Sequence, residues 1–219
     1  MKSINTPILR PLSELLRQNL NYIIDKNKFS DVTLELKTGL QNQDNFIQNL
    51  KNKSAIIIGS RPQLEKTSLA IPMAFSASVK SSLPILIFSM FDDSENFAMR
   101  IISQSPNFDS KNFRNNQIMH PSDFCKIVRA TLIMENLPIY FNEDWRLSAD
   151  EIYNACRAMK GEKNLGLVII DCLQLIEPDS KLSDEQKINE IMEKFKLLAI
   201  DFDCPVIVLS QIEHNNKGQ

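Results

Sequence analysis

Lys66 and Thr67 end the segment Gly59-Ser-Arg-Pro-Gln-Leu-Glu-Lys-Thr67, which joins a short apolar run, Ala55-Ile-Ile-Ile, to a stretch of helical pattern. A lysine followed by a hydroxyl residue at a helix start is how a phosphate-binding loop ends. There the ammonium reaches the outer phosphates of a nucleotide and the hydroxyl binds magnesium, while glycines let the preceding N–H groups close round the anion. Against the spacing G-x-x-x-x-G-K-[ST], the two glycine positions hold Ser60 and Glu65. The first change is mild. The second brings a side chain and a negative charge to the place that phosphate oxygens would occupy. Lys-Thr pairs are common, so the segment by itself assigns nothing.

Two further groups share its setting. Asp171 closes the apolar run LGLVIID at 165–171, and a carboxylate after a buried strand can hold magnesium directly or through water. It can equally be a solvated turn residue. Ser210-Gln211 closes PVIVLS at 205–210, where a polar pair can sense a phosphate or simply begin a turn. What joins the three is their order along the chain, each at the carboxyl end of an apolar run.

The elements that would hold them follow from periodicity. Short runs apolar on both faces predict strands at 55–59, 84–88, 138–141, 165–171 and 205–210. Helical spacing predicts helices at 66–80, 93–104, 121–135, 148–160 and 183–202, with a weak one at 41–51. Pro72 should kink or shorten the first of these by removing a donor. Ser148 with Glu151 reads as a capping box, Ser183 as a cap, and Asp92 or Asp93 as the cap of the helix at 93–104. Residues 8–26 form an amphipathic helix with Leu12, Leu15, Leu16, Leu20, Ile23 and Ile24 in a stripe, and Pro11 and Ser13 in its first turn. That stripe can pack on its own domain or on a neighbouring subunit. Strands alternating with helices give a three-layer α/β domain with a mostly parallel sheet, in which ligands bind beyond the carboxyl ends of the strands.

Bulk properties narrow the class. The chain has 219 residues, 43% hydrophobic and 24% charged, with a formal net charge of −2, so it shows no basic excess of the kind a free-standing nucleic-acid binder carries. Cys125, Cys156, Cys172 and Cys204 lack C-x-x-C spacing and read as reduced structural thiols, and two histidines are too few for a zinc cluster. No stretch approaches the ~18 apolar residues of a membrane span, and the first residues lack a signal-peptide core; a cytoplasmic protein is expected. There are only five glycines, a scarcity that bears on any phosphate loop.

With these residues in place, the chain resembles the replicative DNA helicases of the DnaB type, in their C-terminal RecA-like ATPase domain. Thr38-Gly39-Leu40 followed by AIIIGSRP at 55–62 resembles the family's TGF…LIILAARP, and Arg61-Pro62 before the loop is a family trait. PILIFS at 84–89 resembles the strand leading to the catalytic glutamate, and FDSKNFRNNQI at 108–118 a further family segment. LPIYFNED at 137–144 is similar to APIYIDD, LGLVIIDCLQLI at 165–176 to LGLIVIDYLQLM, and PVIVLSQIEH at 205–214 to PVIALSQLNR. The likeness spans about residues 8–215. It implies a RecA-like P-loop NTPase fold at 38–219, preceded by a linker helix and connector at 1–37. It also implies ATP and magnesium as cofactors, with Ser60, Arg61, Glu65, Lys66, Thr67 and Gln211 at the nucleotide and Thr67 and Asp171 at the metal. Helix 8–26 becomes the linker helix of a homo- or hetero-oligomer with a replicative helicase, and single-stranded DNA a ligand bound weakly.

The departures matter as much. Glu65 replaces the loop glycine, and the family's catalytic glutamate falls on Phe91, with Asp92 as a shifted substitute. The family's arginine finger and much of its DNA loop follow the Ser-Gln segment, so a domain truncated after that motif is expected. The reading is therefore a helicase ATPase-domain homologue impaired in ATP binding and hydrolysis, acting as an interaction module. The alternative is an active ATP-dependent helicase subunit.

Overall fold

The five apolar runs form adjacent strands of one sheet in the computed structural model, which describes residues 9–27, 53–60, 66–90, 93–103, 121–142, 144–160, 164–177 and 183–211. In chain order the elements are β1 (Leu9–Pro11), α1 (Leu12–Asn27), β2 (Ala55–Ser60), α2 (Lys66–Ser81), β3 (Ile85–Ser89), α3 (Ser94–Ser103), α4 (Pro121–Met134), β4 (Ile139–Asn142), α5 (Ala149–Lys160), β5 (Leu167–Asp171), a 3-10 turn (Leu173–Leu175), α6 (Asp184–Phe202) and β6 (Val206–Gln211). The expectations for Thr38–Leu40, the helix at 41–51, the segment 108–118 and the tail after Gln211 lie outside the described residues, as do Arg61, Glu65, Phe91 and Asp92.

Among the described residues the sheet has the order β1-β4-β3-β5-β6-β2. All neighbours are parallel except β1, which runs antiparallel to β4 with Leu9 opposite Asn142 and Pro11 opposite Tyr140. Successive side chains on each strand enter opposite layers. Ile85, Ile87, Ile139, Phe141, Leu167, Ile169, Ile207 and Leu209 join one core with α1, α2, α3 and α4. Leu86, Phe88, Val168, Ile170, Val206 and Val208 join a second core with α5 and α6. Burial on both faces is why these strands are continuously apolar. The mostly parallel three-layer architecture is the one expected.

Three local outcomes refine the sequence reading. Residues 9–11 are an edge strand rather than helix. Pro11 fits there because it opposes Tyr140 at the sheet margin, where a missing N–H costs little. The helix begins at Leu12, and Leu12, Leu15 and Leu16 are at most 1% exposed in the core with α3 and α4. Its first half thus packs on its own domain. Pro72 does not shorten α2, which runs unbroken to Ser81. Ala70, Ile71, Met73, Ala74 and Ala77 are buried around it, and that packing outweighs the roughly 3 kcal/mol a mid-helix proline costs. Gly166 enters β5 so close to the end of α2 that an added Cβ would lie 2.8 Å from Ile85 Cδ1 and 2.9 Å from Ser81 Oγ.

The caps hold. The Ser148 N–H donates to Glu151 Oε2 (2.8 Å) and the Glu151 N–H to Ser148 Oγ (3.2 Å), opening α5. The Ser183 N–H donates to Gln186 Oε1 (3.2 Å), opening α6. Asp93 caps α3, its Oδ1 accepting from the Asn96 N–H at 2.7 Å.

The far ends of α5 and α6 are tied together. Tyr153 Oη donates to Asp201 Oδ2 (2.8 Å), which raises the phenol's pKa, and Lys160 Nζ donates to the Asp201 carbonyl (3.0 Å). Beneath them Cys156 and Cys204 are fully buried free thiols. Burial, then the neighbouring Cys204, pushes the Cys156 thiol well up, and burial, then Asp203, pushes Cys204 up to about 12.

Candidate functional site

Register brings the sequence-selected residues to one margin of the sheet. Ser60 is the partner of Gln211 across β2 and β6, and Gly59 of Ser210. Asp171 lies beside Leu209 on one side and Ser89 on the other. Asn142 ends β4 opposite Phe88. All stand at the carboxyl ends of parallel strands, the side on which such sheets bind ligands.

Alternation then decides which face each uses. Ile169 and Ile87 enter the core that holds α2, so Asp171 and Ser89, two residues on, point toward the same face. Both are buried, at 3% and 2% exposure. Lys66 and Thr67 form the first turn of α2, which packs against β5 on this face. The structure therefore brings Asp171 to the side of the sheet where the Lys-Thr pair opens its helix. A buried carboxylate needs donors or a cation. Among the described residues no three His, Cys, Asp or Glu side chains converge on a metal. A magnesium ion here would take Thr67 and Asp171 and draw its remaining ligands from water and phosphate, which is how magnesium is ordinarily held beside a nucleotide. Of that donor set Asp171 is described to the side chain, buried on the face where α2 begins.

One residue of this margin was missed from sequence. Gln174, in the 3-10 turn after β5, donates from Nε2 to Ser210 Oγ (2.8 Å) and to the Gln211 carbonyl (2.9 Å). Its Oε1 accepts from the Gln211 N–H at 3.1 Å. The glutamine in LGLVIIDCLQLI, a polar side chain between two leucines just past a strand end, is the signal that could have been read.

On the opposite face, Asn142 is fully buried and donates from Nδ2 to Asp144 Oδ2 at 3.1 Å, while its Oδ1 has no partner among the described residues. The turn that follows carries Trp145 and Arg146 out to solvent.

Comparison with known proteins bears on family and fold. Residues 35–219 match the family described as DnaB-like helicase C terminal domain. The replicative DNA helicase DnaB of Geobacillus stearothermophilus is 29% identical over 191 residues, covering 86% of this chain and 42% of the relative. The replicative DNA helicase DnaC of Bacillus subtilis is 29% identical over 211 residues, covering 95% and 46%. The chain thus spans less than half the length of these relatives. Among solved structures, an ATPase domain superposes with a TM-score of 0.72 at 22% identity, covering 91% of this chain and 72% of that one. A DnaB-like replicative helicase, described with its interactions with primase, gives the same TM-score at 22% identity and covers 90% and 48%. Likeness at that identity speaks for the RecA-like ATPase fold, and the family match for descent: this chain belongs to the DnaB-like helicase C-terminal domain family.

Proposed function

We propose that this chain is a DnaB-type ATPase-domain homologue impaired in ATP binding and hydrolysis, acting as an interaction module in replicative DNA helicase assemblies. One observation carries the reading: Glu65 immediately precedes Lys66, the first residue of α2, at the position where the phosphate loop needs glycine. Its carboxylate repels the triphosphate that Lys66, Ser60, Arg61 and Gln211 would otherwise hold. Phe91 stands where the family's glutamate activates water, and losing a general base costs about 10²–10⁴-fold in rate. Asp92 is the nearest substitute. In this reading residues 1–37 are the linker segment and 38–219 the ATPase domain, the working compartment is the cytoplasm, and single-stranded DNA binds weakly. Association with a helicase ring runs through helix 8–26.

The second reading, an active ATP-dependent helicase subunit, is favoured by Asp171 lying on the same face as the start of α2. Titration with Mg-ATP separates the two. No binding is expected at about 100 µM, a concentration that detects complexes weaker than the micromolar scale. Glu65→Gly should restore magnesium-dependent binding without turnover. Saturable binding by the unaltered chain would overturn the impaired reading.

A further inference from the structure

Two segments lie side by side at the carboxyl end of the sheet, on the α5 face. One is the turn 144–148 that enters α5, and the other is the 3-10 turn with its exit at 173–177. The Glu177 N–H donates to the Leu147 carbonyl at 3.0 Å, Ser148 and Glu177 form a parallel bridge, and Arg146 Nη1 stands 3.9 Å from Glu177 Oε1. Leu147, Leu173 and Ile176 anchor both segments in the core beneath. Above that anchor each presents a large apolar side chain to water: Trp145 is 69% exposed and Leu175 39%. A single exposed apolar residue needs no explanation, but an indole and a leucine on two abutting, anchored segments make the kind of rigid aromatic-centred surface on which protein interfaces concentrate their energy.

Charge decides what such a surface takes. The described residues of the two segments and the first turn of α5 carry four carboxylates, at Asp144, Asp150, Glu151 and Glu177, against one guanidinium, Arg146. Glu151 is engaged in its cap and Asp150 pairs with Lys194 at 2.8 Å; with Lys194 counted beside Arg146, four carboxylates still face two cations and the balance is negative. Phosphate would be repelled, which argues against stacking of nucleic-acid bases on Trp145. A cationic group is attracted twice, by the carboxylates and by the face of the indole.

We propose that the surface of Trp145 and Leu175 docks a cationic, partly apolar segment of a protein partner. This holds whether or not nucleotide binds, so its test is separate from that of the ATP site. Trp145 is the chain's single tryptophan, so intrinsic emission reports on this surface alone. The full chain is titrated with a short peptide of alternating lysine and leucine, with a glutamate–leucine peptide of equal length, and with oligothymidylate. The lysine–leucine peptide is expected to shift the emission to the blue saturably, and less so as salt rises from ~0.1 to ~1 M. Leu175→Ser and Glu177→Lys should each weaken that binding by about tenfold. Leu132→Ser, at an equally exposed leucine on α4, should leave it unchanged. The proposal is overturned if the shift is absent up to ~1 mM peptide. It is equally overturned if Leu132→Ser acts as strongly as Leu175→Ser, or if the acidic peptide or oligothymidylate produces the shift. A shift with protein concentration alone would assign the surface to a second copy of the chain and overturn it too.

Discussion

Gln174 grips Gln211 by its backbone: the carboxamide takes both the N–H and the carbonyl of that residue, and its Nε2 reaches the Ser210 hydroxyl as well. The end of β6 is thereby locked to the turn that follows β5, leaving the Gln211 side chain outside the clasp. Gln174→Leu should destabilise the fold by about 1–2 kcal/mol, since hydrogen bonds this near solvent contribute ~0.5–1.5 kcal/mol each and are not additive. A urea midpoint measures the loss, and faster hydrogen exchange at the Gln211 amide localises it.

Asn142 offers a charge test. Its buried Nδ2 donates to Asp144, and Asn142→Asp replaces that donor with a second carboxylate. At pH 7 the variant should lose about 3 kcal/mol or more, because like charges are forced together away from water. Such a pair has a folded pKa raised above the unfolded one. The variant's stability is therefore retained at low pH and lost as pH rises through that value; its denaturation midpoint should recover toward pH 5. Asn142→Leu should cost far less, because the orphaned Oδ1 is removed along with the donor.

Gly166→Ala places a methyl group against Ile85 and Ser81 at the entry to β5. Ile85 is fully buried and has little room to yield. A loss of about 1–3 kcal/mol is expected, as for other overpacked cores, read from thermal or urea unfolding. An unchanged midpoint would mean that the two elements can part at no cost.

The paired thiols predict a pH dependence. Cys204, ordinarily near 9.0, is held up to about 12 in the fold, and Cys156 is raised in the same sense. Both states keep the proton below about pH 9, so the thiols impose no pH dependence there. Between about 9 and 12 the unfolded chain sheds protons that the folded one retains. Stability should fall there by as much as ~1.4 kcal/mol per pH unit per thiol. Denaturation midpoints from pH 8 to 10.5 measure the slope, and Cys156→Ala with Cys204→Ala should flatten it.

The apolar runs, the caps at Ser148 and Asp93, and the strand-end position of Asp171 were legible because each is local: burial on two faces shows as a continuous hydrophobic run, and a cap as a fixed offset. What escaped depends on partners distant in sequence. Leu9–Pro11 was absorbed into a helix because its pairing with Tyr140–Asn142 has no local signature. Helix propensity predicts a kink or an early end at Pro72 because it ignores the core into which α2 packs. The Gln174 clasp joins residues thirty-seven apart and follows only once β5 and β6 are known to be neighbours.

Among the described residues the strand that feeds the Lys-Thr helix sits at the sheet margin, laddered to β6 along one flank, with Ile57 47% exposed. That one row of main-chain bonds is supplemented by Ile58 and Ala55, which pack against the two cores. Ser60 is therefore held to the sheet through the same residue whose backbone Gln174 grips, so the start of the phosphate-loop segment and the turn after β5 share one anchor in Gln211.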